Sequence, residues 1–349
     1  RIKMKTGIVG LPLSGKTTLF KALVGPDFQT LFDKPNIGSV KVPDPNVDDL
    51  AEFFKPKKKT LAEIIFVDIP GVPGGAENSK RRNEIYTSIR KVDALIEVID
   101  SFSRNDVYEQ IASFYSDLII MDLDVVEKRL ERLSKEKLDS IKGFEKETLE
   151  KCLLELNKNL PLRNIRLTGE EVKALSSFEF LTLKPLIYLI NVKDSEIEEG
   201  KKVAEELRNR IGIKGTNFIS LPLKLESEIT ELSENEKKEF LSSYGLEEPA
   251  LPEVIHATMD ALNYNVFYTT GEDEVRSWLF EKGLNARAVA GKVHSDIERG
   301  FIAAEVISFE DFRKVGFSFK EAKSKGLLRI EGENYIVKNK EVVHFRFNV

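Results

Sequence analysis

Gly10-Leu11-Pro12-Leu13-Ser14-Gly15-Lys16-Thr17-Thr18 is the stretch from which the fold can be read. It fits G-x-x-x-x-G-K-[ST], with a short apolar strand pattern over Lys5–Val9 before it and a helix pattern over Thr17–Val24 after it. The glycines let the backbone wrap closely round a phosphate chain, so that N–H groups from Leu13 to Thr18 point inward. Lys16 would neutralise the β- and γ-phosphates, and Thr17 would offer its hydroxyl to Mg²⁺. The helix N-terminus adds its partial positive charge. The pattern therefore predicts a nucleoside-triphosphate site made of Leu13, Ser14, Gly15, Lys16, Thr17 and Thr18.

A second stretch, Glu63-Ile64-Ile65-Phe66-Val67-Asp68-Ile69-Pro70-Gly71, is an apolar run that ends in an acid. A run of this length suits a strand covered on both faces of a parallel sheet. Asp68 then falls at the strand's carboxyl end, where ligands bind in such sheets, and would hold Mg²⁺ through water. Gly71 would donate its backbone N–H to a γ-phosphate.

The chain has 349 residues, enough for two or three domains. Its 53 basic and 58 acidic residues leave a net charge of −5, which speaks against a globally basic nucleic-acid binder and against DNA as a partner. One cysteine, Cys152, excludes an internal disulfide framework and suits a reducing, cytoplasmic setting. No apolar stretch approaches the roughly 20 residues of a membrane span. The first residues run straight into a strand, so no signal peptide is expected. His256, His294 and His344 lie far apart and have neither metal-ligand spacing nor a hydrolase triad order.

Strand and helix signals alternate over residues 1–110, resume with strands at Leu186–Asn191 and Asn217–Leu221, and continue to about 258. Between them, Val126, Leu130 and Leu133, then Leu149, Leu153, Leu156 and Leu160, recur at helical spacing with Gly143 between the two runs. This predicts an antiparallel helical hairpin over 111–177. After Pro249 and Pro252 the pattern becomes short strands, with helices expected at Glu272–Lys282 and Phe319–Lys325. Ala288–Val293 and Tyr335–Val337 read as strands. The expected division is an α/β phosphate-loop domain (1–110 and 178–258), an inserted hairpin (111–177) and an α+β domain (262–349).

Several long segments carry a family resemblance: Pro35-Asn36-Ile37-Gly38, Phe54-Lys55-Pro56-Lys57-Lys58, Thr270-Gly271-Glu272-Asp273-Glu274-Val275-Arg276-Ser277-Trp278, His294-Ser295-Asp296-Ile297-Glu298-Arg299-Gly300-Phe301 and the ending His344-Phe345-Arg346-Phe347-Asn348-Val349. With the Gly10–Thr18 loop they resemble the YchF family, or Obg-like ATPases, over nearly the whole chain. The resemblance implies a coiled-coil hairpin insertion and a carboxyl-terminal TGS domain of β-grasp fold. It also implies a cytosolic NTPase that associates with ribosomes and uses either ATP or GTP. The departures are specific. Leu13-Ser14 replaces the family's Asn-Val, and Lys80-Arg81-Arg82 brings charge to a Gly-rich segment. Thr30 is the nearest residue to the family's Mg²⁺-closing Thr, about two positions out of place.

Asn191-Val192-Lys193-Asp194 stands where a base would be read. Asn-Lys-x-Asp reads guanine through its Asp, and the family usually has Asn-x-x-Glu; here Asp194 restores the guanine acceptor while Val192 replaces Lys. Asn191 would bond either purine, and the Leu223 N–H would reach the base, so GTP and ATP both stay open. Val72 stands where a water-orienting Gln is found in related GTPases, which predicts slow hydrolysis. A nucleotide-sensing scaffold that does not hydrolyse, binding through its hairpin and TGS-like domain, is the alternative. Lys55, Lys57, Lys58, Lys59, Arg81 and Arg82 are basic residues within reach of RNA phosphate or simply solvated.

Overall fold

The computed structural model describes residues 4–31, 34–71, 79–102, 106–136, 139–211 and 216–348. In chain order they form β1 (Lys5–Val9), α1 (Lys16–Val24), β2 (Asn36–Lys41), α2 (Pro45–Phe54), β3 (Lys58–Thr60), β4 (Glu63–Asp68), α3 (Ser79–Arg90) and β5 (Ala94–Asp100). Next come α4 (Val107–Ser134), α5 (Ser140–Asn157), α6 (Gly169–Leu175), β6 (Leu186–Asn191), α7 (Ile197–Ile211), β7 (Thr216–Leu221), α8 (Leu223–Glu231), α9 (Glu234–Ser243) and α10 (Leu251–Ala261). The remainder is β8 (Tyr264–Thr269), β9 (Glu274–Glu281), α11 (Ala286–Val293), α12 (Ser295–Arg299), β10 (Phe301–Ser308), α13 (Phe309–Lys314), α14 (Phe319–Ser324), β11 (Arg329–Glu331) and β12 (Glu341–Phe347).

The chain divides into two compact units, 4–38 with 65–261 and 39–64 with 262–349. The first carries a sheet of order β2-β4-β1-β5-β6-β7. Its central strands are apolar runs because helices cover both faces, and every residue of β6 is buried. The parallel register sets Ile8 beside Asp68, Asp100 beside Asn191, and Asn191 beside Leu221. The carboxyl ends of β4, β1, β5, β6 and β7 therefore lie side by side, and the chain turns there into the loops that build the site.

Helices α4 and α5 pack on each other through Val126, Leu133, Leu149, Cys152 and Leu156. Arg129 clamps Glu145 with two hydrogen bonds of 2.7 and 2.9 Å. The break between them falls before Asp139, not at Gly143, which lies inside α5. The cause is local: the Asp139 carboxylate, four residues ahead of the glycine, accepts the Lys142 N–H at 2.8 Å and caps the helix. Helix α3 is fastened to α4 by side chains at every turn. Tyr86 donates to Asp117 at 2.8 Å, and Arg82 pairs with the same carboxylate at 3.4 Å. Arg90 pairs with the buried Asp122 at 3.3 Å and donates to the Met121 carbonyl at 3.0 Å.

The second unit has a sheet of order β11-β10-β12-β8-β9-β3. Residues 39–64, expected in the phosphate-loop domain, belong to this second unit instead. β3 runs parallel to β9, with Lys58 beside Glu274. Helix α2 lays Phe53 against Phe317 and Phe54 against Phe312 and Phe319, with ring centroids 5.5 to 6.4 Å apart. Two elements also change type. Residues 274–281, expected as helix, are a strand paired antiparallel with β8. Residues 286–293, whose Ala/Val content suggested a strand, are helical because the Asn285 side chain accepts the Ala288 N–H and caps the first turn. Around Ile336 only an isolated bridge to Asn285 forms.

Glu97 of β5 is an exception in an apolar strand. It is 3% exposed, and its Oε2 has no hydrogen-bond partner among the described residues. Burial raises its pKa well above the ordinary glutamate value of 4.5. The folded chain thus holds this proton more tightly than the unfolded chain does. Stability from this group is fully present below about pH 4.5 and is lost as pH rises through the raised value. Glu97→Gln removes that proton linkage. Denaturant titrations from about pH 5 to 8 should show wild type losing stability relative to the variant as pH rises. Parallel pH profiles would place the linkage elsewhere.

Candidate functional site

The loop between β1 and α1 follows the shape that its glycines permit. Gly10 and Gly15 have φ of 140° and 106°. A Cβ on Gly10 would lie 2.4 Å from the Val98 carbonyl oxygen, and one on Gly15 would lie 2.6 Å from Asn191 Nδ2. No side chain fits at either position, so the loop lies directly against β5 and the end of β6. Leu13 takes a left-handed φ of 68° and is 96% exposed, which leaves a bare backbone arch.

Beneath the arch Lys16 is 7% exposed, and its Nζ donates to the Leu11 carbonyl at 2.6 Å. Burial lowers its pKa, and the charge of Asp68 partly opposes this. Asp68 ends β4 where the sequence placed it and is 5% exposed. Burial raises its pKa against hydrogen bonds from Thr17 and Asn36 and the charge of Lys16. Thr17 Oγ1 donates to Asp68 Oδ2 at 2.9 Å, which puts two hard oxygen atoms next to one another. Among the described residues no group of three or more His, Cys, Asp or Glu forms a metal cage. One hydroxyl and one carboxylate suit Mg²⁺, which is usually bound with one or two carboxylates while substrate phosphates and waters complete its shell.

Asn36 is the site residue that sequence reasoning missed. Its amide accepts the Leu31 N–H at 2.7 Å, donates back to the Leu31 carbonyl at 3.1 Å, and donates weakly to Asp68 at 3.4 Å. It thereby ties the segment carrying Thr30 to the end of β4. Its signal in the sequence is its place in Pro35-Asn36-Ile37-Gly38, one of the segments that carry the family resemblance. Thr30, Leu31, Lys34, Asp68, Gly71 and Arg81 line a cleft of about 610 Å³ together with Lys16, Thr17 and Thr18. Gly71 faces Pro12, whose nitrogen a Cβ would approach to 3.0 Å. Val72, on which the expectation of slow hydrolysis rests, lies outside the described residues.

A second cleft of about 690 Å³ adjoins the first and shares Leu13, Gly15 and Thr18 with it. Asn191, Lys193, Asp194, Leu223 and Phe102 are among its other lining residues. Asn191 acts here as a clamp. Its Nδ2 donates to the Ser14 carbonyl at 3.0 Å, and its Oδ1 accepts the Leu223 N–H at 3.2 Å. The Leu223 N–H that was expected to reach a base is thus spent on Asn191. Asp194 is half-buried at the start of a short 3₁₀ turn on the cleft wall. Val192 is buried in the core of the sheet. Of the basic residues considered for RNA, Arg82 pairs with Asp117, Lys57 with Asp273 and Lys59 with Asp48.

A parallel sheet with this glycine arch at the end of its first strand defines a phosphate-loop GTPase fold. Residues 5–158 match the family model described as "50S ribosome-binding GTPase", and residues 264–348 match one described as "Protein of unknown function (DUF933)". The chain is 38% identical to a Haemophilus influenzae protein named "Ribosome-binding ATPase YchF", with 99% of each chain covered. It is 36% identical to the protein of that name in Bacillus subtilis, covering 99% of this chain and 100% of that one. The solved structure of the Schizosaccharomyces pombe YchF GTPase superposes with a TM-score of 0.85 at 28% identity, covering 99% of this chain and 98% of that one. The chain belongs to the YchF family.

Proposed function

We propose that the chain is a slow, Mg²⁺-dependent NTPase that binds GTP or ATP and acts with the ribosome in the cytoplasm. The observation that carries this reading is the buried Lys16 under the arch that Gly10 and Gly15 permit, beside Thr17 and Asp68. A buried ammonium and a buried carboxylate that both pay for lost hydration form a site whose charges a metal-bound triphosphate would satisfy. The relatives' names, ribosome-binding ATPases, support the ribosome as partner. The α4–α5 pair corresponds to the family's coiled-coil insertion, and residues 262–349 to its TGS domain of β-grasp fold, joined here by residues 39–64.

In this reading backbone N–H groups from Leu13 to Thr18 hold the phosphates and Lys16 spans the β- and γ-phosphates. Thr17 and Asp68 hold Mg²⁺, which supplies charge neutralisation at the phosphates. Gly71 donates its N–H to the γ-phosphate. Catalysis then depends on positioning and electrostatics, with no covalent intermediate. Phosphate release by the purified protein should fall far below the typical turnover of about 10 s⁻¹. It should rise on adding ribosomes and vanish in Lys16→Ala. Turnover in Lys16→Ala equal to wild type would end the assignment.

Base choice falls to the second cleft. In this reading the Asp194 carboxylate accepts the N1–H and N2–H of guanine, whereas adenine presents an acceptor at N1. A site built for a donor pair rejects an analogue that lacks it. Asp194→Ala should therefore cost GTP affinity about 1–3 kcal/mol more than ATP affinity. Equal affinities before and after the change would mean that Asp194 does not read the base, and would favour the ATP named for the relatives.

A further inference from the structure

Among the described residues, three cations line the phosphate cleft: Lys16, Lys34 and Arg81. Lys16 belongs to the loop. Lys34 is exposed on the irregular segment before β2. Arg81 differs from both because it projects from a helix held in place along two stripes. Arg82, Tyr86 and Arg90, at steps of four, fasten one stripe of α3 to Asp117 and Asp122 of α4. The adjacent stripe is Arg81, Ile85 and Ile89. Ile85 and Ile89 are buried in the core that contains Val9, Val67 and Ile69. These three residues lie in β1, at the end of β4 and just beyond it, next to Gly10 and Asp68. Arg81 stands one turn, about 5.4 Å, nearer the helix N-terminus than Ile85. The stripe that packs on the sheet thus continues past its carboxyl edge, and Arg81 lines the same cleft as Lys16, Thr17 and Asp68.

We propose that Arg81 is an arginine supplied in cis that stabilises the charge developing on the transferred γ-phosphoryl group. The inference rests on the triphosphate-hydrolase reading above. In that reaction a water oxygen bonds to the γ-phosphorus as its bond to the β–γ bridging oxygen breaks. The electron pair stays on the bridging oxygen, which leaves with the diphosphate, and the water's protons end on inorganic phosphate and solvent. Negative charge grows on the bridging and equatorial oxygens. A planar guanidinium with several donors suits those oxygens better than an ammonium does. Arginines in this role are worth about 10³–10⁵ in kcat elsewhere. The exposed position of Arg81 argues for the lower end or below.

The test is steady-state phosphate release over a range of triphosphate concentrations by wild type, Arg81→Ala, Arg81→Lys and Lys80→Ala, the last an exposed neighbour outside the cleft lining. Arg81→Ala should lose at least about 30-fold in kcat with KM changed less than about threefold, since the arginine acts on the transition state. Millimolar guanidinium should restore part of the rate. Arg81→Lys should fall between, and Lys80→Ala should match wild type. Wild type should also trap a diphosphate–aluminium fluoride complex that Arg81→Ala does not form. An unchanged kcat in Arg81→Ala, a change in KM alone, or an equal loss in Lys80→Ala would overturn the role of Arg81 while leaving the hydrolase reading in place. A wild type with neither turnover nor a trapped complex would refute both.

Discussion

The buried charge of Lys16 is the constraint around which the first unit is organised. An ammonium removed from water needs compensation, and here it has one carbonyl oxygen, from Leu11, and the nearby carboxylate of Asp68. That carboxylate is itself buried and spends its hydrogen bonds on Thr17 and Asn36. The arrangement exists only because Gly10 and Gly15 let the backbone close over Lys16 without a Cβ in the way. It persists because Asn191 pins Ser14 from below. One side chain thus joins the ends of β6 and β7 to the loop after β1, so the phosphate cleft and its neighbour share a wall.

The same logic extends outward through α3. The helix begins at the edge of the phosphate cleft and ends at Arg90, whose guanidinium meets Asp122 and backbone carbonyls of Met121 and Glu179. Asp122 in turn accepts the N–H groups of Leu181 and Thr182. The base of the α4–α5 pair is therefore bound to the helix that flanks the cleft by a continuous set of polar contacts. Buried polar networks of this kind are satisfied as a whole or become costly.

What could be read from the sequence was what local chemistry dictates. The glycine arch, the strand ending at Asp68, and the two-sided burial of β5 and β6 follow from residue types at fixed spacing. What could not be read depends on partners distant in the chain. Residues 58–60 form a strand only because residues 274–276 lie alongside, more than two hundred positions away. Residues 274–281 carry enough charge to suggest a helix, and their pairing with β8 decides otherwise. Residues 286–293 turn on a single capping amide, Asn285. Asn36 and Asn191 act through the carbonyls and N–H groups they engage, and no pattern of apolar residues announces such a role. The left-out charge at Glu97 sits in a strand that reads as apolar at every other position before Asp100.

This site recognises the phosphate chain first and the base second. Calorimetric titration of the full chain in Mg²⁺ tests it most directly, with GTP and ATP compared against guanosine and adenosine. One saturable triphosphate site per chain is expected, weakened when Mg²⁺ is chelated, with no measurable heat from either nucleoside at the same concentrations. A nucleoside that binds as tightly as its triphosphate, or the absence of saturable binding by both triphosphates, would contradict it.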